Sequence, residues 1–279
     1  MNGRQNQPVL IVGGMGKTGG RVNQLLRQRG IATRPISRST TPAFDWTQPE
    51  GWSAALEGAT RAYVAYQPDI AVAGAAEAIA ELSRLAREKG FEHIVLLSGR
   101  GEPGAQRAEA ALQASGVPWT CVRASWFSQN FSEGFLVDGV LAGELALPVG
   151  NVPEPFVDVD DIAEVVAAAL TDRRHINRLY ELTGPRALTF ADAVGEIAAA
   201  THRSVRYTQI TPDQFVESLR PHVPEDVIQL LNELFTVVLD GRNSAVATGV
   251  QEALGRSARD FSEYVRRTVA TGVWSGGRI

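Results

Sequence analysis

Three glycines, Gly13, Gly16 and Gly19, follow the apolar run VLIV at 9–12 and precede an amphipathic stretch carrying Val22, Leu25 and Leu26. Strand, glycine turn and helix in that order suit a nucleotide's phosphates. One glycine makes the tight turn, the next lets backbone approach the pyrophosphate, and the last packs helix on strand. The helix N-terminus then faces the negative charge. A rival reading starts from Gly16-Lys17-Thr18, the tripeptide that ends an ATP-binding P-loop. That loop needs a further glycine at position 11, where the chain has Ile11 inside the apolar run, so the tripeptide is read as coincidence.

The stretch PISRST puts Arg38 at the end of a second strand-like run. An acid at this place bonds the ribose 2′-hydroxyl of NAD, whereas an arginine receives the 2′-phosphate of NADP. A guanidinium grips phosphate bidentately, and Ser37 and Ser39 add donors. The first acidic residue of the chain is Asp45, preceded by seven Lys or Arg. That segment either meets an anion or is a solvated basic face; the position of Arg38 favours the anion. No carboxylate is expected close to this guanidinium.

The hydride chemistry such a coenzyme serves usually needs an acid. Short-chain dehydrogenases of the common type pair a tyrosine with a lysine four residues later. Here the only lysines are Lys17 and Lys89, and the positions four before them hold Gly13 and Leu85. A proton must come from elsewhere, or the acceptor must need no strong acid, as with a quinone, an iminium ion or a cationic dye. Tyr66 and Ser98, each at the end of a strand-like run, are the candidate donors, with ordinary hydrogen bonding as the alternative. Glu109 reads as a salt-bridge partner. Trp126, Phe127, Gln129 and Asn130 mix flat apolar surface with polar groups, as small-molecule pockets do; packing in the core is the alternative for the aromatics.

Positioning these residues requires a parallel sheet. Strand-like runs near 8–12, 32–37, 61–66, 93–98, 119–123 and 178–183 alternate with helical patterns near 17–29, 69–89, 103–115 and 158–171, with a short turn of helix at 50–57. The expected fold class is α/β, a Rossmann-type doubly wound parallel sheet. The coenzyme domain is placed at 1–150, its sheet completed by the strand near 178–183. A smaller, mainly helical substrate-capping region is placed at 185–279, with the closing SGGRI expected to fray.

The 279 residues, 44% hydrophobic and 21% charged, suit an ordinary globular protein. A net charge of −4 argues against a nucleic-acid binder. No apolar run approaches the roughly 20 residues of a membrane helix. The opening MNGRQNQPV lacks a signal peptide's apolar core, and a cytoplasmic location is expected. Cys121 is a single cysteine in an apolar strand and reads as core. His93, His175, His202 and His222 show no ligand spacing, so no metal is expected.

Taken together, GGMGKTGGRV, FDWTQPEGW, GATRAYVAYQPD, HIVLLSGRG, AEAALQASGVPWTCVRASWFSQNF, FVDVDDIAEVVAAAL and YELTGP resemble the NmrA-like group of atypical short-chain dehydrogenases, in order over nearly the whole chain. The resemblance implies an NADP(H)-binding Rossmann domain with a small C-terminal domain closing over a substrate cleft. It implies Gly13, Gly16, Lys17, Thr18 and Gly19 at the pyrophosphate and Arg38 at the 2′-phosphate. It also implies Asp45 and Trp46 beside the adenine, Ala65, Tyr66 and Gln67 close to the ribose, and 125–130 running past the nicotinamide. Arg123-Ala124 stands where that family commonly has Arg-Pro. Two functions are compatible: an NADPH-dependent reductase of a small, flat conjugated acceptor, or a non-catalytic NADP(H)-sensing regulator that binds a protein partner. A homo-oligomer fits either.

Overall fold

The computed structural model describes residues 7–275. Positions 276–279 of the closing SGGRI lie outside them. Two compact units emerge: unit 1 is Met1–Ala124, Val159–Leu182 and Thr248–Arg256, and unit 2 is Ser125–Asp158, Thr183–Ala247 and Ser257–Ile279.

Unit 1 holds strands β1 (Val9–Val12), β2 (Thr33–Ile36), β3 (Arg61–Val64), β4 (His93–Gly99) and β5 (Trp119–Ala124). After them in the chain come β6 (Glu144–Leu147), which belongs to unit 2, and β7 (Arg178–Leu182), which returns to unit 1. The described sheet runs β2-β1-β3-β4-β5-β7, parallel throughout. All four residues of β1 are buried, as a central strand covered on both faces requires. Helix α1 (Lys17–Gln28) packs against the helix Val159–Thr171 over one face. Helices α2 (Trp52–Leu56), α3 (Ala75–Glu88) and α4 (Pro103–Ala114) associate with one another. The strand order reverses beside β1, and open α/β sheets bind ligands at such a switch point, outside the carboxyl ends of the strands.

Helix α3 begins six residues later than the sequence pattern suggests. Residues 67–74 form a loop in which the Asp69 carboxylate accepts the Ala71 N–H at 2.7 Å, and Gly74 turns the chain with φ of +84°. This loop packs on the first turn of α4: a Cβ at Gly104 would stand 2.0 Å from the Ala71 carbonyl oxygen.

Unit 2 begins directly after β5, so the boundary expected at 150 falls at Ala124 instead. The reason is non-local packing. Strand β6 pairs in parallel with β8 (Arg206–Gln209), and Phe131 and Phe156 pack against Phe190. Neither strand has an apolar run long enough to register as one. Helices Phe190–Thr201 and Pro212–Leu219 start at Thr189 and Thr211, each closing a capping box with Asp192 and Gln214. Residues Leu234–Val238 wind as a π-helical turn. Among the described residues no helix is long and apolar enough to cross a membrane.

A buried histidine sits in unit 1, away from the switch point. His93, at the start of β4, is 4% exposed. Its Nε2 lies 2.9 Å from Thr120 Oγ1, which itself donates to the His175 carbonyl. Thr120 therefore accepts the hydrogen bond that Nε2 donates. Burial, helped by the nearby positive charge of Arg61 and Arg173, pushes the imidazole down to about 4. In the unfolded chain it titrates near 6.5, so the stabilisation is complete above that pH and is lost as pH falls from 6.5 to 4. The loss expected over that window is about 2–3 kcal/mol. Urea unfolding at several pH values should show it, and His93→Gln should flatten the slope.

Candidate nucleotide site

The apolar strand β1 ends at Val12, and the chain turns at once. Gly13 adopts φ of +77°, where a Cβ would also press on Ala65 at 3.2–3.3 Å. The Gly16 N–H closes the turn onto the Gly13 carbonyl at 2.9 Å, and α1 starts at Lys17. No side-chain hydrogen bond caps Gly16 and no acid stands in the first turn of α1, so the positive end of the helix dipole faces the turn without a carboxylate of its own. Gly19 packs this helix on the turn: a Cβ there would lie 2.3 Å from the Gly13 oxygen. Gly14 is a fourth glycine of the motif that the one-in-three spacing hides. Its added Cβ would meet the Pro35 ring at 2.5 Å, so it lets β2 approach.

A groove of about 900 Å³ opens at this switch point, walled by Gly13, Gly16, Ser37, Arg38, Asp45 and Gln67, among others. Phe44 and Trp46 give part of its wall aromatic surface. Phe44, Trp46 and Trp52 form a cluster with centroids 4.9–5.7 Å apart, and the Trp52 indole N–H donates to the Asp45 carbonyl at 2.6 Å. Phe44, Met15 and Thr47 also line it, with no glycine or charge to announce them.

Arg38 sits in a loop that folds back on itself. Phe44 donates its N–H to the Ser37 carbonyl at 2.9 Å, and the Ser37 and Ser39 hydroxyls lie 3.0 Å apart. That return corrects the expectation of a guanidinium free of carboxylates, because it brings Asp45 into the field of Arg38. The Asp45 carboxyl is held below the usual range, first by the Thr47 backbone N–H at 2.9 Å and the Thr47 hydroxyl at 2.8 Å, then by Arg38. It is an ionised acceptor suited to a hydroxyl or amine, beside a cation suited to phosphate.

The groove brings together Gly13, Gly16, Ser37, Arg38, Asp45, Trp46 and Gln67 from the sequence reading. Lys17, Thr18, Gly19, Ala65 and Tyr66 are not among the residues that wall it. The Thr18 side chain is buried and accepts the Tyr63 hydroxyl at 2.8 Å, so it braces α1 from within. Tyr66 lays its ring against Trp46, centroids 4.5 Å apart, and burial raises its phenol above the ordinary value. Ser98 donates to Glu109 at 2.5 Å, and Glu109 is ion-paired with Arg123. Cys121 is buried in β5 with its thiol pushed up to about 12.

In unit 2, Trp126 is half-buried against Phe190 and Phe235, and its N–H donates to the Glu154 carboxylate at 3.3 Å. Gln129 is 3% exposed and donates to Asp158 at 2.8 Å, so its amide works inside the unit. Phe127 and Asn130 are partly exposed, Phe127 bridging to Val157. Among the described residues, no three His, Cys, Asp or Glu gather as a metal site.

Glycine turn, uncapped helix start, switch-point groove and Arg38 define a Rossmann-type nucleotide-binding protein. More narrowly, the chain belongs to the NmrA-like family, which matches residues 106–265. It is 28% identical to the NAD(P)H azoreductase of Xenophilus azovorans, covering 94% of this chain and 98% of that one. It is 27% identical to prestalk A differentiation protein A of Dictyostelium discoideum, covering 93% and 92%. The fold matches the triphenylmethane reductase of a Citrobacter species, solved with NADP(H), at a TM-score of 0.76 and 18% identity over 94% of this chain and 99% of that one.

Proposed function

We propose that the protein is an NADPH-dependent reductase of a small, flat conjugated acceptor. The observation that carries this reading is Arg38 in the wall of the switch-point groove, where an NAD site would place an acid. The glycine cradle and uncapped α1 fit a pyrophosphate, Arg38 with Ser37 and Ser39 fits a 2′-phosphate, and Asp45 with Trp46 fits the adenosine. The bound coenzyme supplies a hydride; the chain orients it and excludes water. The names of the azoreductase and triphenylmethane reductase relatives support the acceptor class. Trp126, Phe127 and Asn130 are assigned to the acceptor and Tyr66 to proton donation or to orienting a carbonyl, while Ser98, whose hydroxyl donates to Glu109, is assigned a structural role. A cytoplasmic location belongs to the same proposal.

Arg38→Ala tests the coenzyme half. Losing a charge-assisted hydrogen bond costs about 1.5–3 kcal/mol, so the NADPH dissociation constant should rise roughly 10- to 150-fold. NADH has no phosphate there, and its affinity should stay within about twofold. Equal weakening of both in calorimetry would remove Arg38 as the phosphate ligand. The second reading, a coenzyme-responsive regulator, is favoured by the missing Tyr-Lys pair and by a relative named for differentiation. Incubation with NADPH and a panel of quinones, imines and dyes separates the two: loss of the reduced coenzyme's absorbance supports the reductase, and none with any acceptor supports the regulator.

A further inference from the structure

We propose that Met15 is an oxidation site in the wall of the nucleotide groove: conversion of its thioether to the sulfoxide weakens coenzyme binding, and bound coenzyme shields the sulfur from the oxidant. The inference rests on the coenzyme half of the reading above and holds for a reductase and for a regulator alike.

The glycine turn fixes where this side chain stands. The Gly16 N–H bonds the Gly13 carbonyl at 2.9 Å, which puts Gly14 and Met15 at the two central positions of the turn. A Cβ added at Gly13 would press on Ala65 and one at Gly14 on Pro35, so the turn is packed against its neighbours and cannot withdraw. Flanked by two residues without side chains, Met15 is 76% exposed, more than any other large hydrophobic among the described residues. It helps to wall the groove together with Gly13, Gly16, Phe44 and Trp46. A thioether is polarisable and makes favourable contacts with aromatic rings. The rings of a coenzyme seated here would cover it.

The sulfur inventory concentrates this chemistry on one residue. Besides Met1 and Met15 the chain has a single sulfur, Cys121, which is buried in β5. Burial pushes that thiol up to about 12, so almost none of it is the thiolate that a peroxide attacks. A thioether needs no such ionisation. Hydrogen peroxide gives one oxygen to Met15 Sδ: the O–O bond breaks, an S–O bond forms, the sulfur gives up two electrons, the peroxide is reduced and water leaves. The product is polar where the thioether was apolar. Its oxygen carries partial negative charge at the turn assigned to the pyrophosphate, so a ring contact is lost and the phosphates meet like charge. Sulfoxide reductases reverse the step, which makes the change switchable.

The test treats the full chain with hydrogen peroxide, removes the oxidant and titrates NADPH by calorimetry. Trypsin separates the two methionines, Met15 on the peptide 5–17 and Met1 on 1–4. The 5–17 peptide should gain one oxygen, and NADPH should bind about three- to tenfold more weakly, the scale of one sulfur–ring contact. Thermal melting should not move, because the side chain is exposed. Methionine sulfoxide reductase should restore the affinity, which oxidation of the Trp46 ring would not allow. Saturating NADP⁺ during the treatment should slow oxidation of the 5–17 peptide severalfold. Met15→Gln, a polar stand-in for the sulfoxide, should match the oxidised protein, and in Met15→Leu peroxide should change the affinity by less than about twofold. A 5–17 peptide that resists peroxide, oxidation without loss of affinity, or an equal loss in Met15→Leu overturns the inference and leaves the coenzyme reading intact. Failure of the untreated protein to bind NADPH sinks that reading and this assignment with it.

Discussion

Glu109→Ala should lower the unfolding free energy by about 3–5 kcal/mol, the cost of breaking a buried ion pair from one side. Glu109, on α4, is 2% exposed and accepts from Arg123 at 2.9 and 2.5 Å and from Ser98 at 2.5 Å. Arg123 lies on β5 and also donates to Glu181 on β7 at 2.7 Å. One guanidinium thus ties a helix to two strands, and its proton is held more tightly than an ordinary arginine's, chiefly by Glu109. Removing the carboxylate leaves that charge with one partner, strips Ser98 of its acceptor and opens a void. An exposed pair supplies the control. Arg84 bonds Glu81 and Glu88 along one face of α3, and Glu81→Ala there should change stability by less than about 1 kcal/mol. Urea midpoints measured at constant slope decide the comparison. Equal effects of the two substitutions would mean that the Arg123 network contributes no more than a surface pair.

Gly19→Ala is expected to cost about 3 kcal/mol in stability, the upper range for overpacking, and to weaken NADPH binding at least about tenfold. All the atoms its Cβ would meet are backbone: Gly13 O at 2.3 Å, Gly13 C at 2.9 Å and Gly14 Cα at 3.0 Å. No rotamer change relieves such a clash. Either α1 moves off the turn or the turn opens, and both displace the amides assigned to the pyrophosphate. The neighbouring Gly20→Ala is the contrast. Its nearest atom is 3.9 Å away, so alanine adds helix propensity of up to about 1 kcal/mol with no loss of affinity. Calorimetry and thermal melts on the two variants separate close packing from glycine content as such. Unchanged coenzyme binding in Gly19→Ala would detach the turn from the nucleotide.

How far the residues could be read in advance depends on the range of the forces that place them. All six strands of the large sheet were legible, because each lies in a short stretch rich in apolar residues between turns and helical patterns, and so were α1, α4 and the helix at 159–171. The positions of the glycine turn and of Arg38 were legible because each follows directly on a strand of the sheet. Asp45 beside Arg38 was not, since a loop returning through the Phe44–Ser37 hydrogen bond brings together residues with no shared pattern. Gly14 was hidden for the same reason: its packing partner, Pro35, belongs to another strand. The sharing of Ser125–Asp158 with the second unit escaped detection because β6 and β8 are four residues each and pair across some sixty residues of chain.

Hydrophobic periodicity, glycine placement and charge order along the chain by themselves determined the parallel sheet, the glycine turn between β1 and α1, and the arginine just past β2. These are local, since each is set by dihedral preference and by which face of one element is apolar. Only the tertiary structure decided which polar groups are already engaged: Thr18 by Tyr63, Ser98 by Glu109, Gln129 by Asp158. A hydrogen bond is settled by a few tenths of an ångström between residues far apart in sequence, and no spacing along the chain encodes that distance.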